Sequence, residues 1–135
     1  MYKIKTEIQI YYEDTDCGGV VYYANYLKFY ERARTDYLSS IELHPKNLMA
    51  RGIMFAVVSA QVNYLKPSRY GDTIVIESFI PEVSKASFTF GYKVFNKASN
   101  ELINEGSTKI VAVDRDMKVW KIEPWFRKKL AAILK

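Results

Sequence analysis

One cysteine and one histidine stand in 135 residues, and no apolar run approaches the length of about 20 residues that crosses a bilayer. A lone Cys17 cannot close a disulfide within the chain, which points to a reducing compartment. With one Cys and one His, a zinc site is poorly supplied. A thiolate nucleophile needs a base, and the only histidine, His44, precedes Pro45 in a loop-like stretch. Metal chemistry and a catalytic Cys17 are both disfavoured, and the expectation for Cys17 is a small buried side chain. The opening Met1-Tyr2-Lys3-Ile4-Lys5-Thr6 lacks the apolar segment of a secretory leader. The expected setting is cytoplasmic, with no stable membrane insertion.

Other signatures are missing as well. There is no phosphate-binding glycine loop, dinucleotide fingerprint, internal repeat or low-complexity linker, so residues 1–135 read as a single domain. The formal charge is +5, but Lys and Arg are dispersed without a dense basic run or zinc-finger spacing. A nucleic-acid partner is not expected. The same surplus suits an anionic, phosphate-bearing small molecule, and it suits an ordinary solvated surface equally well.

What is present is periodicity. Ile4, Thr6, Ile8 and Ile10 alternate with Lys5, Glu7, Gln9 and Tyr11, which predicts a strand with one buried face over Lys3 to Tyr12. Tyr26, Phe29, Tyr30, Ala33, Tyr37, Leu38 and Ile41 recur at helical spacing, which predicts an amphipathic helix from about Tyr23 to Ser40. Ile41 to Gly52 reads as a loop with room for a helical turn. Four strand-like runs follow, about Phe55 to Leu65, Thr73 to Val83, Ser87 to Asn96 and Leu102 to Val113, separated by turn residues. In the first of these, strict alternation puts Phe55, Val57, Ser59, Gln61 and Asn63 on one face. Pro124 then opens a basic, amphipathic terminal helix carrying Trp125, Phe126, Leu130, Ile133 and Leu134. Short links imply antiparallel pairing. The prediction is an α+β domain, with a curved antiparallel sheet of about five strands wrapped around one long central α-helix.

The chemistry concentrates where the first strand meets that helix, at Tyr11-Tyr12-Glu13-Asp14-Thr15-Asp16-Cys17-Gly18-Gly19-Val20-Val21-Tyr22-Tyr23-Ala24-Asn25-Tyr26. A helix N-terminus presents unpaired N–H groups at the positive end of its dipole. A carboxylate beside such donors can attack a carbonyl, or direct water at it, while the donors polarise its oxygen. Asp, Thr and Gly are also ordinary turn and cap residues, and spacing alone favours that account. The pair Gly18-Gly19, which permits close backbone approach, and the run of tyrosines favour a site.

These residues, continuing into Lys28-Phe29-Tyr30-Glu31-Arg32-Ala33-Arg34, resemble the hotdog-fold acyl-CoA thioesterases. The similarity is to the 4-hydroxybenzoyl-CoA thioesterase group and the Tol-Pal-associated thioesterases. It resumes at Tyr64-Leu65-Lys66-Pro67 and Arg69-Tyr70-Gly71-Asp72 and spans nearly the whole chain. The resemblance implies hydrolysis of an acyl-CoA to a carboxylic acid and free coenzyme A, which enters as part of the substrate and not as a cofactor. It implies Asp16 as general base or nucleophile, and the backbone N–H of Tyr23, in the first helical turn, as donor to the thioester oxygen. Gly19, Tyr22 and Tyr26 are then expected at the substrate. Tyr23 stands where many Tol-Pal-associated relatives carry His, which leaves aryl or aliphatic preference open.

Asp14 is the runner-up carboxylate, expected to be structural, and Glu31 is a further alternative by analogy with a subgroup that uses a helical Glu. Ser59, contributed by a partner subunit, is a candidate to reach Asp16 or its water, or else a polar interface residue. Lys66, Arg69, Lys85 and Ser87, at strand ends near turns, are candidates for the phosphates or the pantetheine arm. The resemblance implies a homodimer and allows a dimer-of-dimers tetramer. An exposed edge strand as long as the second one supplies an independent motive for pairing. A non-catalytic acyl-CoA-binding or scaffold module associated with envelope machinery remains the alternative.

Overall fold

The computed structural model describes residues 1–133, with side chains as far as Leu130. Five strands form one sheet: β1 (Ile4–Gln9), β2 (Met54–Tyr64), β3 (Thr73–Val83), β4 (Ser87–Asn96) and β5 (Leu102–Val113). Their order is β1-β3-β4-β5-β2, antiparallel at every pairing, so β1 and β2 are the two edges. The long helix α1 (Asn25–Ser40) packs on one face, and the short α2 (Pro45–Ala50) leads into β2. The terminal helix α3 (Pro124–Ile133) buries Phe126 and Leu130 against the same core. This is the α+β hotdog arrangement expected from the sequence. Leu134 and the side chain of Ile133 lie outside the described part of that helix.

Register breaks interrupt β2 between Val57 and Ser59, β3 between Phe79 and Glu82, and β4 between Val94 and Phe95. Such breaks bend a strand and increase its twist, which is how a sheet curves around a helix.

Burial explains why α1 forms. Its sequence contains Asn, Thr, Asp, Tyr and Ser, none a strong helix former, at a summed disadvantage of about a few kcal/mol. The stripe Tyr26, Phe29, Tyr30, Ala33, Tyr37 and Leu38 is almost wholly buried. Each large side chain contributes roughly 1.5–3 kcal/mol on burial, so packing outweighs propensity. The buried side of the sheet supplies Ile74, Ile76 and Ile80 from β3, Phe88, Phe90, Tyr92 and Val94 from β4, and Ile110 and Ala112 from β5.

Polar bonds fix the position of α1 within this apolar sandwich. The buried Tyr30 hydroxyl donates to Asn104 Oδ1 at 2.6 Å, and the Tyr30 ring stacks on Tyr92 with centroids 4.1 Å apart. Tyr92 shares a 2.6 Å hydrogen bond with the Thr108 hydroxyl. Tyr30 approaches β5 over Gly106, where an added Cβ would stand 2.7 Å from the Tyr30 hydroxyl and 2.4 Å from the Gln61 carbonyl.

Three features differ from the sequence expectation, each for a local reason. β1 stops at Gln9, and Tyr12–Asp14 form a 3-10 turn closed by the Tyr11 N–H donating to Asp14 Oδ2 at 2.9 Å. α1 begins at Asn25 and not at Tyr23, because the Asn25 N–H turns back to the Tyr22 carbonyl and makes Ala24 the cap. Strict alternation along β2 fails at a bulge: Val57 pairs with Ile110, whereas the next pair is Ser59 with Lys109. One extra residue reverses the faces beyond it, so Ser59 does not share the side of Phe55 and Val57.

Tyr30→Phe strands Asn104 Oδ1 in the core and should lower the unfolding free energy by about 1–3 kcal/mol in urea titrations. Burial also raises the hydroxyl pKa of Tyr26, Tyr30, Tyr37 and Tyr92 above the ordinary value of 10.0. Above about pH 10 the unfolded chain sheds tyrosine protons that the folded chain keeps, so stability should fall there and stay flat in this respect below it. Thermal melts from about pH 8 to about pH 11, read beside tyrosinate absorbance, should show the last part of the absorbance rise arriving together with unfolding.

Candidate active site

Residues between β1 and α1 close into a small hairpin. Thr15 and Val21 form an antiparallel bridge, the Asp16 N–H donates to the Val20 carbonyl at 2.8 Å, and the Gly19 N–H donates back to the Asp16 carbonyl at 3.1 Å. Gly19 sits at φ +82°, a conformation that other residues adopt only with strain, which explains a glycine at this corner. The outer arm is tied to the β2–β3 connection: Val20 bridges to Arg69, and the Val21 N–H donates to the Ser68 carbonyl at 2.8 Å.

Asp16 lies at the mouth of this hairpin, exposed to solvent. Its Oδ1 accepts the Gly18 N–H at 2.8 Å, an Asx turn that fixes the side-chain rotamer. Oδ2 has no hydrogen-bond partner among the described residues. The turn role and the chemical role are therefore compatible: one oxygen holds the geometry, and the other is open.

The first turn of α1 is unfilled. Ala24 occupies the N-cap and offers no side-chain acceptor. Ser, Thr, Asp or Asn there would accept from the Tyr26 or Leu27 N–H and stabilise the helix by about 1 kcal/mol. Among the described residues, neither the Tyr23 N–H nor the Ala24 N–H finds an acceptor. The peptides around them are nonetheless pinned. Asp14 presents its carbonyl to the Tyr22 N–H at 2.9 Å and to Asn25 Nδ2 at 2.9 Å, while the Tyr22 carbonyl accepts the Asn25 N–H. Asp16 lies two residues from Asp14, so the open carboxylate oxygen and the open donors belong to one closed unit of backbone.

Beside the donors is a cavity of about 310 Å³ lined by Val21, Tyr23, Tyr26, Tyr64, Leu65, Lys66 and Pro67. The Tyr26 and Ser68 hydroxyls are closed off from solvent and make no hydrogen bond of good geometry among the described residues. Tyr22 is exposed and packs on the Tyr23 ring, with centroids 4.8 Å apart. Tyr23 beside it raises the Tyr22 hydroxyl pKa.

The other predicted residues divide. Arg69 reaches the hairpin through its backbone, and its guanidinium has no ion-pair partner among the described residues. Lys66 lines the cavity but is paired with Glu101, whose carboxyl its ammonium holds below the ordinary range. Lys85 and Ser87 flank the β3–β4 turn, at the far end of β3 from the hairpin, roughly 35 Å away at the rise of a strand. Ser59 lies exposed in mid-β2, five residues or about 16 Å from Tyr64. Neither Ser59 nor the Lys85–Ser87 pair joins Asp16 within one chain. Asp14 commits its carboxylate to the Tyr11 N–H, and Glu31 accepts from the Thr35 hydroxyl at 3.1 Å on a separate groove between β1 and α1. Cys17 is exposed at the hairpin tip, contrary to the buried position expected, because so short a turn cannot reach the core. Tyr64 and Ser68 are neighbours of the hairpin that sequence reasoning misses. Their proximity to α1 comes from pairing across more than 40 residues, and only the resemblance at Tyr64-Leu65-Lys66-Pro67 hints at it.

Residues 18–103 match the model of the thioesterase superfamily. The chain is 41% identical over 107 residues to the acyl-CoA thioester hydrolase YbgC of Escherichia coli, covering 79% of each chain. It is 32% identical over 108 residues to the acyl-CoA thioesterase YbgC of Haemophilus influenzae, covering 79% of this chain and 78% of that one. Among solved structures, a DHNA-CoA thioesterase from Staphylococcus aureus superposes with a TM-score of 0.94 at 28% identity, covering 98% of this chain and 91% of the other. The chain belongs to the thioesterase superfamily.

Exposure of Cys17 at a turn that asks nothing of its thiol yields a simple expectation. Cys17→Ala should leave thioester turnover within about twofold of wild type and abolish labelling by iodoacetamide, both read in the same preparation.

Proposed function

We propose that this thioesterase hydrolyses acyl-CoA, with Asp16 and the open N–H groups ahead of α1 acting on one thioester carbonyl. The observation that carries the assignment is the pairing of a carboxylate oxygen and two backbone donors, all unfilled, on one hydrogen-bonded hairpin. The acyl-CoA activity of relatives at 41% and 32% identity supports the substrate class.

The thioester oxygen sits at the Tyr23 N–H, where the positive end of α1 favours the charge that develops on it. Asp16 Oδ2 either attacks the carbonyl carbon, giving an acyl-aspartyl anhydride and coenzyme A thiolate, or removes a proton from an attacking water. On the first route water then hydrolyses the anhydride and regenerates Asp16; on both the thiolate takes up a proton, so both end in a carboxylic acid and free coenzyme A. No cofactor is needed, because coenzyme A arrives as part of the substrate.

The acyl group occupies the cavity walled by Tyr23, Tyr26 and Tyr64. The aromatic wall of Tyr23, Tyr26 and Tyr64 favours an aryl acyl group over a plain alkyl chain. Tyr22, packed on the Tyr23 ring, and Gly19 of the hairpin are the further substrate contacts of this reading, and Arg69 stands free to meet a phosphate.

The working form is a homodimer joined along β2. That edge strand is 11 residues long, and Val57 and Val58 expose about half of their surface on it. Unpaired edges of this kind associate. Antiparallel pairing of two β2 strands sets the Met54 end of one beside the Tyr64 end of the other. The β3–β4 turn lies toward the Met54 end of the sheet, so pairing carries the partner's Lys85 and Ser87 toward this chain's hairpin. Those residues and Ser59 then have a place in the partner's half of the site. A further dimer-of-dimers is compatible with this. Among the described residues no helix is long and apolar enough to cross a membrane, and the lone thiol fits the cytoplasm.

Free-thiol release from benzoyl-, hydroxybenzoyl-, butyryl- and palmitoyl-CoA tests these assignments together. Wild type should prefer the aryl esters. Asp16→Asn should lower kcat by at least about a hundredfold while the fold is retained. Near-normal turnover by folded Asp16→Asn would move the chemistry elsewhere, and a preference for palmitoyl-CoA would refute the aryl pocket.

A further inference from the structure

Tyr64 is the last residue of β2, the edge strand farthest in sheet order from β1 and its hairpin. Its hydroxyl crosses to the start of α1 and donates to the Tyr23 carbonyl at 2.9 Å. The Tyr64 ring stands edge-on to Tyr23, with centroids 6.3 Å apart at 90°, and leans on Tyr26 at 5.9 Å. Burial, and then the neighbouring Tyr23, push the Tyr64 hydroxyl above its ordinary pKa, so it stays protonated and remains a donor at neutral pH.

The place of that bond is what matters. Tyr22 and Tyr23 precede the cap residue Ala24, whose carbonyl takes the Leu27 N–H, so no helical hydrogen bond orients the Tyr22–Tyr23 and Tyr23–Ala24 peptides. The Tyr22–Tyr23 peptide is held through its carbonyl by the Asn25 N–H. The next peptide, joining Tyr23 to Ala24, has its carbonyl held by Tyr64 and by no backbone donor among the described residues. The two free N–H groups belong to these two peptides. No acceptor among the described residues takes them, and a peptide with a free N–H and no anchor on its carbonyl would rotate. A hydrogen bond to the carbonyl also draws electron density from the amide and strengthens the N–H at its other end.

We infer that Tyr64 is a positioning residue, which orients the Tyr23–Ala24 peptide so that the donors ahead of α1 converge on the thioester oxygen. It touches no reacting atom; it acts through the backbone. This role rests on the proposed donor function of the turn, and it adds a second donor, the Ala24 N–H, to the one at Tyr23. It also links the dimer edge to the chemistry, because the same strand that presents its edge to a partner ends in this bond.

The test is Tyr64→Phe, which keeps the ring packing and removes only the hydroxyl. Turnover of the best acyl-CoA in the panel above should lose roughly tenfold in kcat with KM within about twofold, since the lost interaction matters in the transition state. A role in packing alone would not give that split. A second readout follows the carbonyl directly. Benzoyl-CoA, isotope-labelled at the thioester carbonyl, is bound to Asp16→Asn and to Asp16→Asn/Tyr64→Phe, and difference infrared spectra are recorded. The carbonyl band should move to lower frequency on binding to the first protein, and by clearly less on binding to the second. Equal bands in the two proteins, or full kcat in Tyr64→Phe, would overturn the role of Tyr64 while leaving the donors in place. No band shift in either protein would remove the donor turn itself, and the role of Tyr64 with it.

Discussion

The hydrogen bond from the buried Tyr30 hydroxyl to Asn104, made over Gly106, leaves α1 one position along the sheet. The aromatic stripe from Tyr26 to Leu38 supplies the burial that holds the helix down against β3, β4 and β5. An apolar interface alone tolerates sliding; a buried hydroxyl that must meet one carboxamide does not. Fixing the helix fixes its N-terminus, and the N-terminus is where the unfilled donors are.

The junction ahead of α1 follows from that constraint. β1 delivers the chain at one edge of the sheet, and the hairpin carries it back over the β2–β3 connection before the helix starts. Bonds that would ordinarily close the helix end are instead made around it: Asp14 holds Tyr22 and Asn25, Ser68 holds Val21, and Tyr64 holds Tyr23. The Tyr23 and Ala24 N–H groups themselves stay vacant, open to a substrate oxygen. Asp16 shows the same division, with one oxygen in the turn and one facing out.

Strands and helices are legible in the sequence because each satisfies its local pattern. β3, β4 and β5 occupy the spans expected from their β-branched and aromatic runs, since turn residues bound them on both sides. The β2 bulge is not legible: one unpaired residue changes no composition, only the parity of every side chain after it, and it displaces Ser59 from its expected face. Asp16 and the Tyr23 peptide are visible through a motif contiguous in sequence. The anchoring of that motif by Ser68 and Tyr64 is not, because those contacts come from residues more than 40 positions away. Cys17 departs from expectation for a related reason, since a residue type that favours interiors sits at a tip with no interior to reach. Lys85 and Ser87 look like Arg69 in sequence, as polar residues near a turn, and only topology separates the two ends of the sheet.

Asp16 and the donors ahead of α1 must address the same thioester carbonyl if the hairpin is the active site. A crystal structure of Asp16→Asn with intact hydroxybenzoyl-CoA measures this directly. The thioester oxygen should stand about 3 Å from the Tyr23 N–H, the carbonyl carbon within about 3.5 Å of the residue 16 side chain, and the aryl ring against Tyr26 and Tyr64. A thioester bound elsewhere, above all in the groove between β1 and α1 beside Glu31, would contradict it.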